Sequence, residues 1–307
     1  MTGEIIELKR VSKFYGQVMG LNDVSVSFGR GMTGLLGPNG AGKSTMMKMM
    51  TGQILPSKGI VKVLGEDPWD NPSLNLRLGY CPEQDSFFRN MTGLQFVMFN
   101  ARLSGISRSR SRTLAVDAIE KVNMKRDMDR DISEYSKGMR QRIKLAQSLV
   151  HDPDLLILDE PLAGTDPIGR VRIIELMFEL RREGRHIVIS SHVLHEVERL
   201  TENIVLIDRG KLVAEGDIHS IRDSLDRYPL TIRVLSPDFR KLARLLTDYG
   251  EVSSITFSGD GELMVRTSNP NLLFDNLQKL VVKEKITVEG IDSPDDNLNA
   301  VFKYLVE

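Results

Sequence analysis

Residues 35–45 have the sequence LLGPNGAGKST, an apolar stretch that ends in three glycines, a lysine and two hydroxyl residues. The apolar part predicts a strand, and KSTMMKMMTG after it predicts a helix that ends at Gly52. Glycines at 37, 40 and 42 can adopt positive φ values, which turn successive backbone N–H groups toward one point at a helix N-terminus. The sequence therefore predicts a phosphate-binding loop between strand and helix.

The side chains of this loop suit a nucleotide with a divalent cation. The Lys43 ammonium would contact the outer phosphates, the Ser44 hydroxyl would bind Mg²⁺, and Thr45 can add a further contact. The GxxxxGKS pattern arises by chance in roughly one chain per hundred of this length, so a simple glycine turn remains an alternative here. The residues assigned to the loop are Gly37, Asn39, Gly40, Ala41, Gly42, Lys43, Ser44 and Thr45.

Two more apolar stretches end in polar residues. DLLILDEP at 154–161 predicts a strand followed by Asp159 and Glu160, and RHIVISSH at 185–192 predicts a strand followed by His192. Ligands of open α/β sheets bind outside the carboxyl ends of the strands, so these side chains should lie beside the phosphate loop. The other histidines lack this placement and are interpreted as structural or solvated: His151, His186, His195 and His219.

These residue types fit the hydrolysis of a γ-phosphate by water. The reaction needs Mg²⁺ to neutralise phosphate oxygens, a cation beside the phosphates and a group that orients or deprotonates the water. We assign Asp159 to the metal, Lys43 to the phosphates and Glu160 to the water. His192 would contact the γ-phosphate.

The stretch SEYSKGMRQRIKLAQSLVHDPDLLILDEPLAGTDP at 133–167 carries a resemblance. Ser136 can cap a helix whose N-terminal end stays free for an anion. The apolar face of this helix comprises Met139, Ile143, Ala146 and Val150. The stretch resembles the signature helix, Walker B strand and D-loop of an ATP-binding cassette (ABC) ATPase. In that family the signature, here Ser136 to Met139 with Gly138, binds the ATP of the opposite subunit, so that two cassettes close head to tail.

Other landmarks of the family follow in order. Tyr15 resembles the aromatic residue that stacks on adenine, although a simple strand-end tyrosine is the alternative. Gln84, in YCPEQDSFF, resembles the Q-loop glutamine that reaches Mg²⁺ and links nucleotide state to a partner, and Asp166 resembles the D-loop aspartate. The signature departs from the common Ser-Gly-Gly-Gln, and Thr165 stands where leucine is usual. The Ser136 hydroxyl and the backbone donors are unaffected by these changes.

The resemblance covers residues 4 to about 220 and implies an α/β fold, a P-loop NTPase cassette. We expect a RecA-like core with an antiparallel β subdomain over 1–220, and a helical subdomain at about 85–150. Phe87, Phe88 and Met91 follow the Q-loop, where this family receives a coupling helix of a membrane partner; subdomain core is the alternative. SRSRSRT at 107–113 is interpreted as a solvated loop at a helix entrance, with contact to a partner or anionic lipid as the alternative.

Residues 221–307 predict a small α+β accessory domain. Strands at 230–235, 251–257, 262–267 and 285–291 alternate with helices at 238–248 and 270–282 in the ferredoxin-like order βαββαβ, followed by a helix at 296–306. The closing DDNLNAVFKYLVE resembles ATPase subunits of ABC-2 type exporters. We hypothesise that this domain mediates dimerisation or regulates closure of the cassettes. A deletion after Leu225 that leaves dimerisation and transport unchanged would contradict this.

Composition restricts the partners. The chain has 41 Lys+Arg against 42 Asp+Glu, so we expect no nucleic-acid partner, and its one cysteine, Cys81, fits a reducing compartment. No export signal and no apolar run of eighteen residues is present, so we expect a cytoplasmic protein, peripheral on the inner face of the cell membrane. The resemblance implies a homodimer that uses ATP and Mg²⁺ to drive a separate transmembrane permease.

The transporter is expected to export a drug, lipid, polysaccharide or peptide. The first alternative is a soluble ABC ATPase that acts on ribosomes, nucleic acid or cofactor assembly. The second is a nucleotide-gated binding module without turnover, which the presence of Glu160 and His192 disfavours.

Overall fold

The computed structural model describes residues 3–88, 90–223, 230–259 and 261–294, and the chain divides after Asp217 into two compact units. The strands of the first unit are β1 (Ile6–Tyr15), β2 (Val18–Phe28), β3 (Met32–Leu36), β4 (Lys58–Val63), β5 (Leu78–Cys81), β6 (Leu155–Leu158), β7 (His186–Ser191), β8 (Asn203–Asp208) and β9 (Lys211–Asp217). Its helices are α1 (Lys43–Met50), α2 (Pro72–Asn75), α3 (Gly93–Leu103), α4 (Arg108–Lys121), α5 (Lys137–Leu149), α6 (Pro167–Arg182) and α7 (Leu194–Glu198).

A six-stranded sheet forms the centre of the first unit, in the order β5-β6-β7-β3-β8-β9. Its strands are parallel except β9, which pairs antiparallel with β8. Strand β6 is buried on both faces: Leu155 and Ile157 enter one apolar cluster, and Leu156 and Leu158 enter the other. A parallel sheet buried on both faces requires such a continuous apolar run, which confirms the strand predicted here.

The two faces of the sheet are covered by different layers. On one face α1 and the antiparallel sheet β2-β1-β4 pack together, and the methionines of α1 fill that core: Met46, Met47, Met49 and Met50. On the other face α3, α4, α5 and α6 contribute apolar side chains to the second core. Among the described residues, no helix combines the length and apolarity needed to cross a membrane.

Helix α4 begins earlier than predicted. The interpretation of 107–113 as a loop is wrong, because Arg108, Arg110 and Arg112 lie in the first turns of α4, with exposed side chains. Ser111 is buried among them and donates a hydrogen bond from its hydroxyl to the Arg108 carbonyl at 3.0 Å, which satisfies the hydroxyl within the helix. The buried face of this first turn is therefore formed by a serine, which a search for apolar periodicity does not detect.

The second unit contains α8 (Ile218–Asp223), β10 (Leu230–Leu235), α9 (Phe239–Leu246), β11 (Val252–Gly259), β12 (Glu262–Thr267), α10 (Pro270–Glu284) and β13 (Gly290–Asp292). Its sheet is antiparallel in the order β11-β12-β10-β13, the ferredoxin-like arrangement of a βαββαβ chain. Ile232, Leu242, Leu263 and Leu277 lie in its apolar core.

The last predicted strand of this unit is largely wrong. Only Gly290–Asp292 forms a strand, because Thr287 bonds to side chains, and the chain joins β10 only at Glu289, whose N–H donates to the Leu235 carbonyl at 2.8 Å. The N–H of Thr287 donates to the Asp238 carboxylate at 3.1 Å, and its carbonyl accepts from the Ser236 hydroxyl at 2.6 Å. The helix predicted at 296–306 lies outside the described residues.

Candidate nucleotide-binding site

The loop between β3 and α1 has a backbone that requires glycine. Gly37 has φ 154°, and a Cβ there would collide with the Ile207 carbonyl oxygen. Gly42 has φ 111°, and a Cβ there would lie 2.7 Å from the Gly20 carbonyl oxygen. Any side chain at either position would displace the loop. Positive φ and close packing together therefore explain the glycines at positions 37 and 42 of the predicted phosphate loop.

Lys43 lies beneath this loop. Its Nζ donates hydrogen bonds to the carbonyls of Gly37 at 2.6 Å and Pro38 at 3.2 Å, and the residue is only 7% exposed. Burial lowers the pKa of the Lys43 ammonium, while the nearby charges of Glu160 and Asp159 oppose that shift. The loop therefore holds a buried cation at its centre.

Two hydroxyl residues and an aromatic ring lie at the start of α1. Ser44 and Thr45 are half-buried in its first turn, directly after Lys43. The Tyr15 hydroxyl at the end of β1 is 3.5 Å from Thr45 Oγ1, and the Tyr15 ring is 46% exposed. The exposed ring is thus available for stacking on a base. The predicted phosphate loop and the predicted aromatic residue lie together.

The sheet order brings three strand ends together. Because β3, β7 and β6 are consecutive neighbours, the phosphate loop, His192 and the pair Asp159 and Glu160 follow the carboxyl ends of adjacent parallel strands. His192 Nδ1 is 2.9 Å from Glu160 Oε2. The convergence predicted from the sequence is present in the structure.

Glu160 has an unusual backbone and environment. Its φ is 49°, in the left-handed region that only a few percent of non-glycine residues adopt, mostly where the surroundings impose it. Burial raises the pKa of the Glu160 carboxyl, although the His192 contact and the Lys43 charge act in the opposite direction. A raised pKa makes the carboxylate a stronger base, which suits a group that takes a proton from water.

Ser190 is a site residue that sequence reasoning missed. Its hydroxyl donates to Asp159 Oδ1 at 2.6 Å and accepts from the Glu160 N–H at 2.9 Å, and the residue has no exposed surface. One hydroxyl therefore fixes both acidic residues at the end of β6. The signal was available, because a serine inside a buried apolar strand needs hydrogen-bond partners.

Replacing Ser190 with alanine should lower ATP turnover by about 10- to 100-fold, because the two acidic residues lose their shared anchor. The same change should cost about 1–3 kcal/mol of unfolding free energy, since a buried carboxylate oxygen and an N–H lose their partner. Phosphate release and thermal unfolding measure the two effects. Ser148→Ala is the matched control, since its buried hydroxyl donates to the Leu145 carbonyl of the same helix at 2.8 Å. Equal turnover in the two variants would contradict the anchoring role.

The predicted signature and D-loop lie against each other. Ser136 is the exposed N-cap of α5, where its hydroxyl accepts from the Met139 N–H at 3.2 Å. A Cβ at Gly138 would lie 3.4 Å from the Gly164 carbonyl oxygen, so the signature packs on the loop that leads to Asp166. Asp166 caps α6 by accepting from the Gly169 N–H at 2.6 Å. The exposed N-terminus of α5 can accept an anion.

Gln84 lies on the exposed loop after β5. Together with the Ser44 hydroxyl and the Asp159 carboxylate, its amide oxygen would complete a set of hard oxygen donors, the ligands that Mg²⁺ prefers. The charge of Asp159 acts to raise the pKa of the Lys43 ammonium, so Asp159 lies at the phosphate end of the site. The functional roles assigned to all these residues stay predictions.

Comparison with known proteins identifies the family. Residues 21–163 match the family described as ABC transporter. The chain is 31% identical over 306 residues to the bacitracin transport ATP-binding protein BcrA of Bacillus licheniformis, covering 98% of this chain and 97% of that protein. It is 34% identical to the Nod factor export ATP-binding protein I of Cupriavidus pinatubonensis, covering 72% and 68% of the two chains.

A solved structure agrees with this family. It is described as the dimeric structure of a post-hydrolysis state of the ATP-binding cassette MJ0796 bound to ADP and Pi, and it has a TM-score of 0.65 at 22% identity. The match covers 69% of this chain and 98% of the solved chain, and this similarity confirms the predicted cassette fold. The chain belongs to the ATP-binding subunits of ABC transporters, the ATPases whose activity is coupled to transport.

Proposed function

We propose that this chain powers an exporter: two copies close over ATP, and their closure and reopening drive a separate membrane permease. The observation that carries the proposal is the adjacency of β3, β7 and β6, which groups Lys43, Asp159, Glu160 and His192 at one edge of the sheet. A site with one buried cation, two carboxylates and an imidazole matches the needs of phosphoryl transfer to water.

Each side chain has a task in this reaction. Lys43 would exchange its loop carbonyls for the outer phosphates, which neutralises charge that builds up as the terminal phosphate leaves. Glu160 would orient the attacking water and take its proton, and its raised pKa favours that step. His192, held at 2.9 Å from Glu160, would contact the γ-phosphate and report its presence. Tyr15 would stack on the adenine.

We assign Mg²⁺ to Ser44, Asp159 and Gln84. When bound, the ion would supply positive charge that neutralises the charge developing on the phosphate oxygens. The hydrogen bond from Ser190 fixes the Asp159 carboxylate, so that its orientation does not depend on the ion.

The second half of each nucleotide site would come from another copy of the chain. The exposed α5 N-terminus, with Ser136 and Gly138, would bind the γ-phosphate held by the partner's phosphate loop. Asp166, on the loop that packs against Gly138, would communicate between the two sites. Two cassettes that share two nucleotides are a homodimer that ATP stabilises.

The permease would bind in a groove of about 780 Å³ between β5 and the helices that follow the Gln84 loop. Apolar side chains line this groove and leave part of their surface exposed, including Phe88 at 52%. The apolar lining includes Leu76, Phe88, Phe99 and Leu103. Exposed apolar surface of this kind indicates a protein contact. The groove would receive a helix of the permease, and the cassette would lie in the cytoplasm, on the inner face of the membrane.

The names of the relatives support export. One is a bacitracin transport protein and the other a Nod factor export protein, so we propose a drug, lipid, polysaccharide or peptide as cargo. Residues 1–220 would form the cassette, and residues 221–307 the accessory domain that promotes dimerisation or regulates closure.

The test is purification of the tagged full-length chain from its native cells in mild detergent with ATP, followed by mass spectrometry. A multispanning membrane protein should be recovered with the wild type. A Phe88→Asp variant should lose it, because a charge in the groove opposes burial of the partner. Ribosomal or DNA-repair proteins, with no membrane protein, would favour the soluble class of ABC ATPase instead.

A further inference from the structure

Helix α5 has a second buried face that the apolar pattern does not predict. At intervals of three residues, Gln141, Lys144 and Gln147 point toward β5 and the loop after it. Gln147 Nε2 donates to the Tyr80 carbonyl at 2.6 Å, and Gln141 Nε2 donates to the Glu160 carbonyl at 3.4 Å. The signature helix is therefore fixed to the ATPase core by polar side chains as well as by apolar packing.

Lys144 is the central residue of this face. Its side chain is 3% exposed, and its ammonium donates to the Glu83 carbonyl at 2.7 Å and contacts Asp85 Oδ1 at 3.0 Å. A buried ammonium is costly unless it is fully paired, so its two acceptors are structurally important. Those acceptors belong to the residues on either side of Gln84.

Asp85 is held from two positions on the same helix. Its Oδ2 accepts from Arg140 Nε at 2.7 Å, and Arg140 also donates to the Tyr135 carbonyl just before the signature. The carboxylate is thus a stable link between loop and helix.

Gln147 shows what a purely structural contact on this face looks like. Its acceptor is a carbonyl of strand β5, whereas the acceptors of Lys144 lie on the loop beyond the strand. Lys144 and Gln147 both line the groove that contains Phe88. Only the contacts with the loop therefore distinguish Lys144 from a residue that joins helix to sheet.

We propose that Lys144 is a positioning residue that couples the Gln84 loop to the signature helix within one subunit. The proposal rests on the function proposed above, because that function assigns Gln84 to Mg²⁺ binding and Ser136 to the nucleotide bound by the partner subunit. Displacement of the loop when the groove is filled would shift the N-terminus of α5. One subunit's metal site would thereby act on the nucleotide bound by its partner subunit.

The test compares Lys144→Met with Gln147→Met in the full-length chain. Both changes replace a polar side chain of α5 by an apolar one of similar length, but only the first removes contacts with the Gln84 loop. The Mg²⁺ concentration for half-maximal ATPase activity should rise about fivefold or more in Lys144→Met, and ATP-induced dimerisation in a Glu160→Gln background should weaken about tenfold. Amide hydrogen exchange at 83–86 should become faster. Gln147→Met should stay within about twofold of the parent protein in all three measurements.

A double-mutant cycle makes the result decisive. Asp85→Asn should shift the three measurements in the same direction as Lys144→Met, and the effect of the double variant should be smaller than the sum of the two single effects, because both changes remove the contact between Lys144 and Asp85. Additive effects, or a folded Lys144→Met protein that behaves like Gln147→Met, would overturn the coupling. If Lys144→Met does not fold, Asp85→Asn alone decides, since its side chain is partly exposed.

The Gln84→Ala variant separates the two levels of inference. An ATPase whose Mg²⁺ dependence is unaffected by Gln84→Ala would remove the role proposed for Gln84, whatever Lys144 does. A Gln84→Ala defect together with a normal Lys144→Met protein would remove only the coupling.

Discussion

Replacing Glu160 with glutamine should lower steady-state ATP hydrolysis by about 10²- to 10⁴-fold, the range expected when a general base is removed. Glutamine has the same shape, and the N–H of residue 160 can still donate to Ser190 Oγ. ATP should therefore still bind, and the dimer that it closes should accumulate because it cannot reset. Phosphate release measures the first effect, and light scattering with ATP against ADP measures the second.

The matched control is Glu175→Gln, the same chemical change on an exposed part of α6. It should leave both turnover and assembly unaltered. Turnover within about tenfold of the wild type in Glu160→Gln would contradict the assignment of the base. The pH dependence of ATP hydrolysis by the wild type provides a further test, since the Glu160 carboxylate must be ionised to take a proton from water. Because burial raises the pKa of Glu160, activity should be lost on acidification at a higher pH than an ordinary glutamate would give.

The fold was predictable wherever one physical signal dominated. The apolar runs at β3, β6 and β7 are continuous because these strands are buried on both faces, and the parallel order follows from that. Prediction failed where polar residues carry the structure. Helix α4 begins in an arginine and serine repeat whose buried Ser111 bonds to its own helix. The expected strand at 285–291 begins only at Gly290, because the Thr287 N–H donates to the Asp238 carboxylate and the Thr287 carbonyl accepts from the Ser236 hydroxyl.

The site divides in the same way. Lys43, Asp159, Glu160 and His192 could be predicted, because each directly follows a strand or a glycine turn and its chemistry suits phosphate. For Ser190 the sequence signals only that a serine in a buried apolar strand needs partners, and the contacts of Lys144 could not be predicted, because they are made with residues distant in the chain. The acceptors of Lys144 lie about sixty residues earlier in the chain, and no spacing rule reports a contact that tertiary structure creates.

Replacing Lys43 with methionine should weaken ATP binding as well as hydrolysis, which distinguishes it from Glu160→Gln. Without the Lys43 ammonium, no positive charge of the loop offsets the negative charges of Asp159 and Glu160 near the phosphates. Charge repulsion therefore opposes ATP binding. Turnover should fall by about 10²- to 10³-fold, as for the loss of one preorganised electrostatic contact. A fluorescent ATP analogue measures the affinity, and light scattering should detect no ATP-dependent dimer.

The protein should remain folded in this experiment. Lys43 loses two hydrogen bonds to loop carbonyls, worth about 1 kcal/mol each, but the burial of a charge is relieved at the same time. Lys48→Met is the matched control, because Lys48 is exposed on the last turn of the same helix and should be neutral. If Lys43→Met bound ATP normally and still formed the closed dimer, the phosphate-binding role of the lysine would be wrong. Lys43 would then act only in the chemical step, where the developing charge is largest.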